Sequence, residues 1–357
     1  MRAIAACVTA LVVGCVGAAE GATPVADAGR ASEDASAPAI DAALRTEDAS
    51  IAADAAVLAD AGAIGDDAGI DPGEGPGVFV AVGWRHRIVT FDTDFTVLHS
   101  EERTDADPYD HGLLLRAVTH GPHGFVVVGD DVVLRSTDGR EWVAAEPFTH
   151  GFLSGVTFGN GHYVAAGGTS AARSADGLTW EVARISRAGG IRDVAFGAGV
   201  FVAVGDDGLR ARSVDGLVWD SIITADGAGL QGIAFAEGRF VAVGHGGRRV
   251  SSTDGITWSH DEAGGEGSFR VVYFDGARWI AAGDLRLATS PDARAASWVE
   301  HPTRSRIDGL VRGGGRYVAS CGSRICVAED GLAWEPGAPE LAGDSGLWSI
   351  AFAPGLD

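Results

Sequence analysis

The pentapeptide Phe201-Val202-Ala203-Val204-Gly205 is one copy of a motif that recurs from Gly77 to the C-terminus. The seven copies are Phe79–Gly83, Phe125–Gly129, Tyr163–Gly167, Phe201–Gly205, Phe240–Gly244, Trp279–Gly283 and Tyr317–Cys321. Their last residues are separated by 46, 38, 38, 39, 39 and 38 residues, which indicates a repeat architecture. Continuous apolar runs of this length are typical of strands that are covered on both faces.

A turn signature, Ser-x-Asp-Gly-x-x-Trp, follows the apolar runs. Four copies are complete, two are degenerate, and the first unit keeps only Thr90-Phe91-Asp92. The six turns supply Asp138, Asp176, Asp215, Asp254, Asp292 and Asp330, together with Trp142, Trp180, Trp219, Trp258, Trp298 and Trp334. Asp and Gly favour turns, and an aromatic residue at a fixed offset suits a core between neighbouring sheets.

A third element, such as Asp193-Val194-Ala195-Phe196, precedes six of the seven apolar runs. The unit that begins at Gly77 lacks this element, whereas Ser349-Ile350-Ala351-Phe352 stands alone at the C-terminus. Each unit therefore has room for four short strands, which we name A to D. Radial repetition of such sheets predicts an all-β, seven-bladed β-propeller over residues 77–357. The spare C-terminal strand is predicted to complete blade 1 and to close the ring.

The Ser-x-Asp-Gly-x-x-Trp turns resemble the Asp-box, or BNR repeat, of sialidase-like propellers and their non-enzymatic relatives. The resemblance covers about residues 77–357. It implies that each box lies in the turn between strands C and D and that its Asp accepts backbone hydrogen bonds. It also implies that the box Trp packs between blades.

The chemistry of a sialidase is not predicted. That mechanism needs a nucleophilic tyrosine with a glutamate partner and an arginine triad opened by a Phe/Tyr-Arg-Ile-Pro motif, which the sequence lacks. Tyr163, Tyr273 and Tyr317 occupy apolar repeat positions, and Tyr109 has no assignable partner. No nucleophile elbow or H-E-x-x-H spacing is present. We predict a non-catalytic binding or scaffold module without cofactor or metal, the alternative being a secreted glycan-active hydrolase with a degenerate or unrecognised site.

The charge balance limits the class of partner. The chain of 357 residues has a formal net charge of -22, and all 27 of its basic residues are arginines. Nucleic-acid binding is therefore not expected, because phosphates need a basic surface. Hydrophobic residues make up 46% of the chain, enough for a packed core.

Residues 1–15 are predicted to be an export signal. Arg2 supplies a positive charge, and the apolar stretch from Ile4 to Val13 is too short for a permanent membrane helix. Val12-Val13-Gly14-Cys15 resembles the bacterial lipobox, which implies that Cys15 becomes lipidated and N-terminal and that the protein is anchored in the bacterial cell envelope. The alternative is an ordinary signal peptide that is cut near Ala18.

Residues 16–76 are predicted to be a disordered, acidic linker. They contain 13 acidic residues, two arginines and no aromatic residue, so they cannot bury enough apolar area to offset the entropy of ordering. Charge repulsion favours an extended tether between membrane and propeller. The alternative is a helix from Ile40 to Ala63, because alanine favours helix.

Two cysteines fall within one repeat. Cys321 replaces the glycine at the end of strand B, and Cys326 is predicted to begin strand C. The two then face each other across a hairpin, within reach of a disulfide that an exported protein permits. The alternative is a pair of free, buried thiols.

The ligand site is predicted from propeller topology. The B–C turns and D–A loops emerge on one face, and the longest D–A loop runs from Thr104 to His111. Among the residues of the B–C turns, the candidate ligand-binding residues are Arg85, Arg87, Arg248 and Arg249.

Residues just before each A-strand core are predicted to surround the mouth of the central channel: Arg116, Ser154, Arg192, Gln231, Arg270, Asp308 and Trp348. Three arginines near one axis are expected to attract an anion, such as a carboxylate-bearing glycan or peptide, unless Asp193 and Asp308 neutralise them. The alternative is charge that only keeps the loops soluble. The predicted partner is an unidentified protein or glycan, bound by a monomer.

Overall fold

The computed structural model describes residues 75–102, 114–148, 151–185, 190–223, 229–259, 266–337 and 345–356. The predicted signal with Cys15, the predicted linker as far as residue 74 and the Thr104–His111 loop lie outside these residues. In the described part of the chain, no helix is both long enough and apolar enough to cross a membrane.

Twenty-seven β-strands in the described residues form seven antiparallel sheets, the blades. Blade 1 contains β1 (Gly77–Gly83), β2 (Ile88–Asp92), β3 (Val97–Glu101) and β27 (Leu347–Pro354). Blade 2 contains β4 (Leu115–Gly121), β5 (Gly124–Gly129), β6 (Val133–Ser136) and β7 (Val143–Ala144). Blade 3 contains β8 (Gly155–Gly159), β9 (His162–Gly167), β10 (Ser170–Ser174) and β11 (Glu181–Arg184). Blade 4 contains β12 (Ile191–Gly197), β13 (Val200–Gly205), β14 (Leu209–Ser213) and β15 (Asp220–Ile223).

The remaining blades follow the same order. Blade 5 contains β16 (Leu230–Ala236), β17 (Arg239–Gly244) and β18 (Arg249–Ser252). Blade 6 contains β19 (Phe269–Phe274), β20 (Trp279–Gly283), β21 (Leu287–Ser290) and β22 (Val299–His301). Blade 7 contains β23 (Gly309–Gly313), β24 (Arg316–Cys321), β25 (Arg324–Ala328) and β26 (Glu335–Pro336). The single-turn 3-10 helices are Trp84–His86, Asp206–Gly208, His245–Gly247 and Ala295–Ser297.

The predicted seven-bladed, all-β propeller is confirmed, including its closure. The C-terminal strand β27 pairs antiparallel with β1, from Gly77 opposite Pro354 to Gly83 opposite Leu347. Six blades have the predicted four strands. Blade 5 has three within the described residues, and beside β18 the N–H of Ser259 donates to the Ser251 carbonyl at 2.8 Å.

The hydrophobic core consists of seven clusters, each between two neighbouring blades. Between blades 3 and 4, for example, Val164 and Ala166 of β9 pack with Phe201 and Ala203 of β13. Every residue of β5 and β13 is buried, which explains why these strands lack an alternating pattern. The cluster between blades 7 and 1 joins Phe79 to Val318, so the core is continuous around the ring.

The glycine that ends strand B is required by close approach of the backbone. Gly205 has an extended φ of −172°, which any residue adopts. A Cβ there, however, would overlap the carbonyl oxygen of Gly190, just before strand A of the same blade. The equivalent glycines of blades 1, 2 and 5 meet the same obstacle, and this explains why glycine recurs at this position.

The Ser-x-Asp-Gly-x-x-Trp turns lie between strands C and D and are held by their own side chains. Asp176 accepts backbone hydrogen bonds from Leu178 and Thr179 at 2.8 and 2.9 Å, and these bonds lower its pKa. Trp180 donates its indole N–H to the Gly177 carbonyl at 3.1 Å. Each of the six box tryptophans packs in or against a cluster between blades. The six aspartates therefore have structural roles within their turns.

A disulfide joins Cys321 and Cys326, whose Cα atoms are 5.9 Å apart. The predicted strand position of Cys326 was wrong. Strand C begins at Arg324, which lies opposite Cys321, and Cys326 lies opposite Ala319, so the bridge crosses the hairpin diagonally.

Candidate functional site at the channel mouth

Five A strands contain a β-bulge beside the end of strand B. The pairing skips Arg116, Arg192, Gln231 and Arg270 in blades 2, 4, 5 and 6, and Trp348 in blade 1. A bulge leaves one residue without a partner on the adjacent strand and re-aims its side chain. The bulges therefore place one side chain from each of five blades at the same level of the channel.

These side chains converge on a single cavity of about 320 Å³. Ser154 and Asp308, which precede the A strands of blades 3 and 7, complete the set. The structure thus brings together all seven residues that propeller topology predicted at the channel mouth. Asp193, Arg306 and Ser349 also line this cavity.

The three mouth arginines are ion-paired. Each lies against an aspartate that directly follows the glycine of strand B, fourteen residues further along the chain. The pairs are Arg116 Nη2 to Asp130 Oδ2 at 3.1 Å, Arg192 Nη2 to Asp206 Oδ2 at 2.7 Å and Arg270 Nε to Asp284 Oδ1 at 2.8 Å. The prediction that these arginines form an uncompensated, anion-attracting cluster was therefore wrong, because the B–C turn supplies a carboxylate to each.

A fourth pair extends this network between blades 6 and 7. Arg306 Nη2 donates to Asp308 Oδ1 at 2.9 Å, and Asp308 raises the pKa of Arg306. Asp308 also lies 3.5 Å from Arg270 Nε, so the expectation that it neutralises a mouth arginine is confirmed. Four arginines and four aspartates therefore balance at the mouth, and we call these four pairs the charged rim.

Two other blades use the same pair of positions with different chemistry. In blade 5, Gln231 Nε2 lies 2.9 Å from His245 Nε2, and in blade 1, Trp348 makes an edge-to-face contact with Trp84 at 5.6 Å. Sequence reasoning missed this pairing. In blades 2, 4, 5 and 6 the available signal was the constant offset of fourteen residues between the bulge position and the residue after the glycine.

Asp193 does not neutralise an arginine as predicted. Its Oδ1 accepts the N–H of Val194 at 2.8 Å, and its Oδ2 accepts the N–H of Ile233 in blade 5 at 2.9 Å. Burial raises the pKa of Asp193 to about 7, although both backbone hydrogen bonds lower it. Ser349 has the corresponding role in blade 1, where its Oγ accepts the N–H of Val118 at 3.2 Å.

One side of the mouth is aromatic. The Arg116 guanidinium lies over the rings of Phe152 and Trp348, 5.2 and 5.5 Å from their centroids. Trp84 is 39% exposed and Phe152 is 41% exposed. We call Trp84, Phe152 and Trp348, with Arg116 between the last two, the aromatic rim.

Three of the arginines predicted in the B–C turns lie inside the fold. Arg87 is 3% exposed and donates to the Ser323 carbonyl at 3.1 Å, and Arg248 is 7% exposed. Arg249 pairs with Glu300 at 2.9 Å and lies over the ring of Phe269. The prediction that these three contact a ligand was wrong, because the turn ends here and the chain enters strand C. Arg85, at the left-handed position of its turn, stays a candidate.

No protein-family model matches the chain, and no curated protein matches its sequence. Solved structures share its architecture. A structure described as YCF48 bound to D1 peptide is 17% identical with a TM-score of 0.51, over 67% of this chain and 84% of that chain. A chain of the mitotic checkpoint complex is 10% identical with a TM-score of 0.55, over 68% and 81%. The designed Ika8 protein is 15% identical with a TM-score of 0.52, over 76% and 86%.

These likenesses and the strand pairing define the class of this molecule. It is a seven-bladed β-propeller. At its channel mouth, paired charges and Trp348 line one cavity. The exposed rings of Trp84 and Phe152 lie beside this lining, in contact with Trp348 and Arg116.

Proposed function

We propose that this chain is a non-catalytic, lipid-anchored propeller of the bacterial cell envelope that binds a partner protein at its channel mouth. The observation that carries the proposal is the convergence of seven side chains, one from each blade, on one cavity. Convergent polar groups around a concave site are the usual setting of a binding site. A polypeptide ligand is further supported by YCF48, a propeller whose structure contains a D1 peptide.

Membership of the Asp-box family is part of this proposal. Its support is the turn geometry, in which Ser213 and Asp215 bind the backbone while Trp219 donates to the Gly216 carbonyl. The same contacts recur in the turns around Asp138, Asp176 and Asp254.

The carboxyl groups at the mouth favour binding over glycoside hydrolysis. A glycosidase acid needs a raised pKa and a position that faces the glycosidic oxygen. The two cavity-lining carboxyls with raised pKa values are Asp193 and Asp308. Backbone N–H groups occupy both oxygens of Asp193, and Arg306 binds Asp308, so each carboxyl already has a structural partner.

Site-specific photocrosslinking tests the proposed function. A benzoylphenylalanine in place of Gln231 lies at the mouth, whereas one in place of Val218, which is 72% exposed, lies in a C–D turn on the opposite face. In cells that export the full chain, irradiation should give a discrete protein adduct from position 231 only. Adducts from position 218 alone, or none from either position, would contradict the proposal.

A further inference from the structure

We propose that the aromatic rim binds an uncharged segment of the partner protein that presents an aliphatic or aromatic side chain. This inference rests on the proposed protein-binding function and specifies the chemistry of the ligand. It replaces the anionic ligand that the arginine pattern alone predicted.

The exposed apolar side chains differ between the two faces of the propeller. Among the described residues, the exposed large aromatic side chains are Trp84 and Phe152, and both lie at the mouth. The exposed apolar residues of the C–D turns, such as Val218 and Ile256, are aliphatic. Tryptophan, phenylalanine and arginine are enriched in the energetic centres of protein interfaces, so the mouth has the composition of a docking surface.

The aromatic rim is preorganised for binding. Asp130 holds the Arg116 guanidinium by two hydrogen bonds, and that guanidinium in turn lies over Phe152 and Trp348. Phe152 packs against the backbone of Gly168, where a Cβ would lie 3.2 Å from the ring. Because these rings are already held in place, little side-chain entropy of the protein is lost when a ligand binds.

The charges of the charged rim are already paired. Its four arginines are matched by four aspartates, so a charged ligand would compete with the existing partners. An uncharged segment lies against this surface without breaking a pair. Residues 16–76 of this chain do not fit that description, since they carry 13 acidic residues and no aromatic residue.

Selection from a random dodecapeptide library on the full chain tests the inference. We expect peptides with a net charge near zero and with aromatic or large aliphatic residues. Their dissociation constants, measured by fluorescence anisotropy, should change less than about threefold between low and high salt, because charge pairing contributes little. Trp84→Ala and Phe152→Ala should each weaken binding about tenfold or more, as for central interface aromatics.

Matched variants show whether a loss of affinity comes from misfolding and whether it is specific to the mouth face of the propeller. Val218→Ala and Ile256→Ala remove exposed apolar side chains of the opposite face and should leave peptide affinity unchanged. Trp84→Phe keeps a ring at the rim and should keep most of the affinity. All variants should still unfold in a single cooperative transition, since Trp84 and Phe152 lie at the surface.

Three results would overturn the inference: selected peptides that are acidic and lose affinity steeply with salt, unchanged affinity of Trp84→Ala and Phe152→Ala, or no selected peptide at all. If adducts from position 231 persist in any of these cases, the proposed protein-binding function stands and only the ligand chemistry is wrong. If those adducts are also absent, both proposals fail.

Discussion

At the scale of single residues, the same side chain has opposite electrostatic roles in different surroundings. Backbone N–H groups of Thr179 and Leu178 lower the pKa of Asp176, so its charge stabilises the turn. Burial raises the pKa of Asp193 to about 7 although it too accepts two backbone hydrogen bonds. Desolvation of the carboxyl therefore decides the sign at Asp193, where the cost of burying the charge exceeds the gain from the hydrogen bonds.

Asp193→Asn should make the pH dependence of stability visible. The folded-state pKa is above the ordinary value of 3.8, so the folded state binds the proton more tightly than the unfolded state. The free energy of unfolding of wild type should therefore fall as pH rises from about 4 to about 7. The melting temperature of Asp193→Asn relative to wild type should increase between pH 5 and pH 8.

Asp215→Asn is the control for that measurement. Backbone hydrogen bonds from Val218 and Leu217 lower the pKa of Asp215, so its contribution is lost only as pH falls through that lowered pKa. Its difference from wild type should be constant between pH 5 and pH 8. A constant difference for Asp193→Asn as well would show that Asp193 does not titrate in this range.

Gly205→Ala tests the close approach at the end of strand B. The added Cβ overlaps the Gly190 carbonyl, and the backbone must shift, with an expected loss of about 1–3 kcal/mol in the free energy of unfolding. Urea denaturation measures this loss. Gly346→Ala is the matched control because its Cβ would meet neighbours at an ordinary 3.6 Å, and an equal loss there would refute the argument.

At the scale of strands and turns, the repeat pattern predicted each A and B strand to within a few residues. The motif Phe201–Gly205 became β13, and Asp193–Phe196 lies inside β12. The burial of Arg87 and Arg248 was not predictable from the pattern. In each of these turns a residue with left-handed backbone, Arg85 or Gly246, reverses the direction of the chain. The residue that follows the 3-10 helix, Arg87 or Arg248, is thereby buried beneath the turn.

The repeat pattern also did not predict the bulges and ion pairs at the mouth. A bulge depends on how strand A meets strand B, and neither strand alone specifies it. In the sequence, Asp130, Asp206 and Asp284 lie in B–C turns whose residues vary from blade to blade. Their role follows once the bulge at Arg192, for example, places it beside Asp206.

Removal of residues 347–357 tests closure by β27. Blade 1 would lose its inner strand, and the unpaired edge of β1 would be exposed together with Phe79, which packs on Phe352 at 4.6 Å. We expect aggregation in size-exclusion chromatography or a broad melting transition. A synthetic peptide of residues 347–357, added during refolding, should restore the monomer, whereas a truncated chain that melts like wild type would show that closure is dispensable.

At the scale of the whole molecule, the ring is stabilised by contacts that repeat from blade to blade. Arginines of the C strands, Arg135, Arg173 and Arg212, donate to the carbonyl of the box aspartate in the next blade at 3.2, 3.0 and 3.2 Å. These bonds lie outside the hydrophobic clusters and join the C–D turns into one face. The architecture of the whole ring was the feature that the sequence predicted most completely. The repeat period specifies the number of blades, and the spare C-terminal strand specifies closure.

Cell fractionation tests the proposed lipid anchor at Cys15. If Cys15 is lipidated, residues 16–76 form a tether that, as a flexible coil, spans roughly 45 Å and leaves the channel mouth free to meet a partner. Two acyl chains are enough for stable anchoring, so wild type should sediment with membranes. Cys15→Ala should shift the protein to the soluble fraction, whereas Cys7→Ala, within the predicted signal, should not. Wild type that is soluble after cell fractionation, or Cys15→Ala that still sediments with membranes, would disprove the anchor.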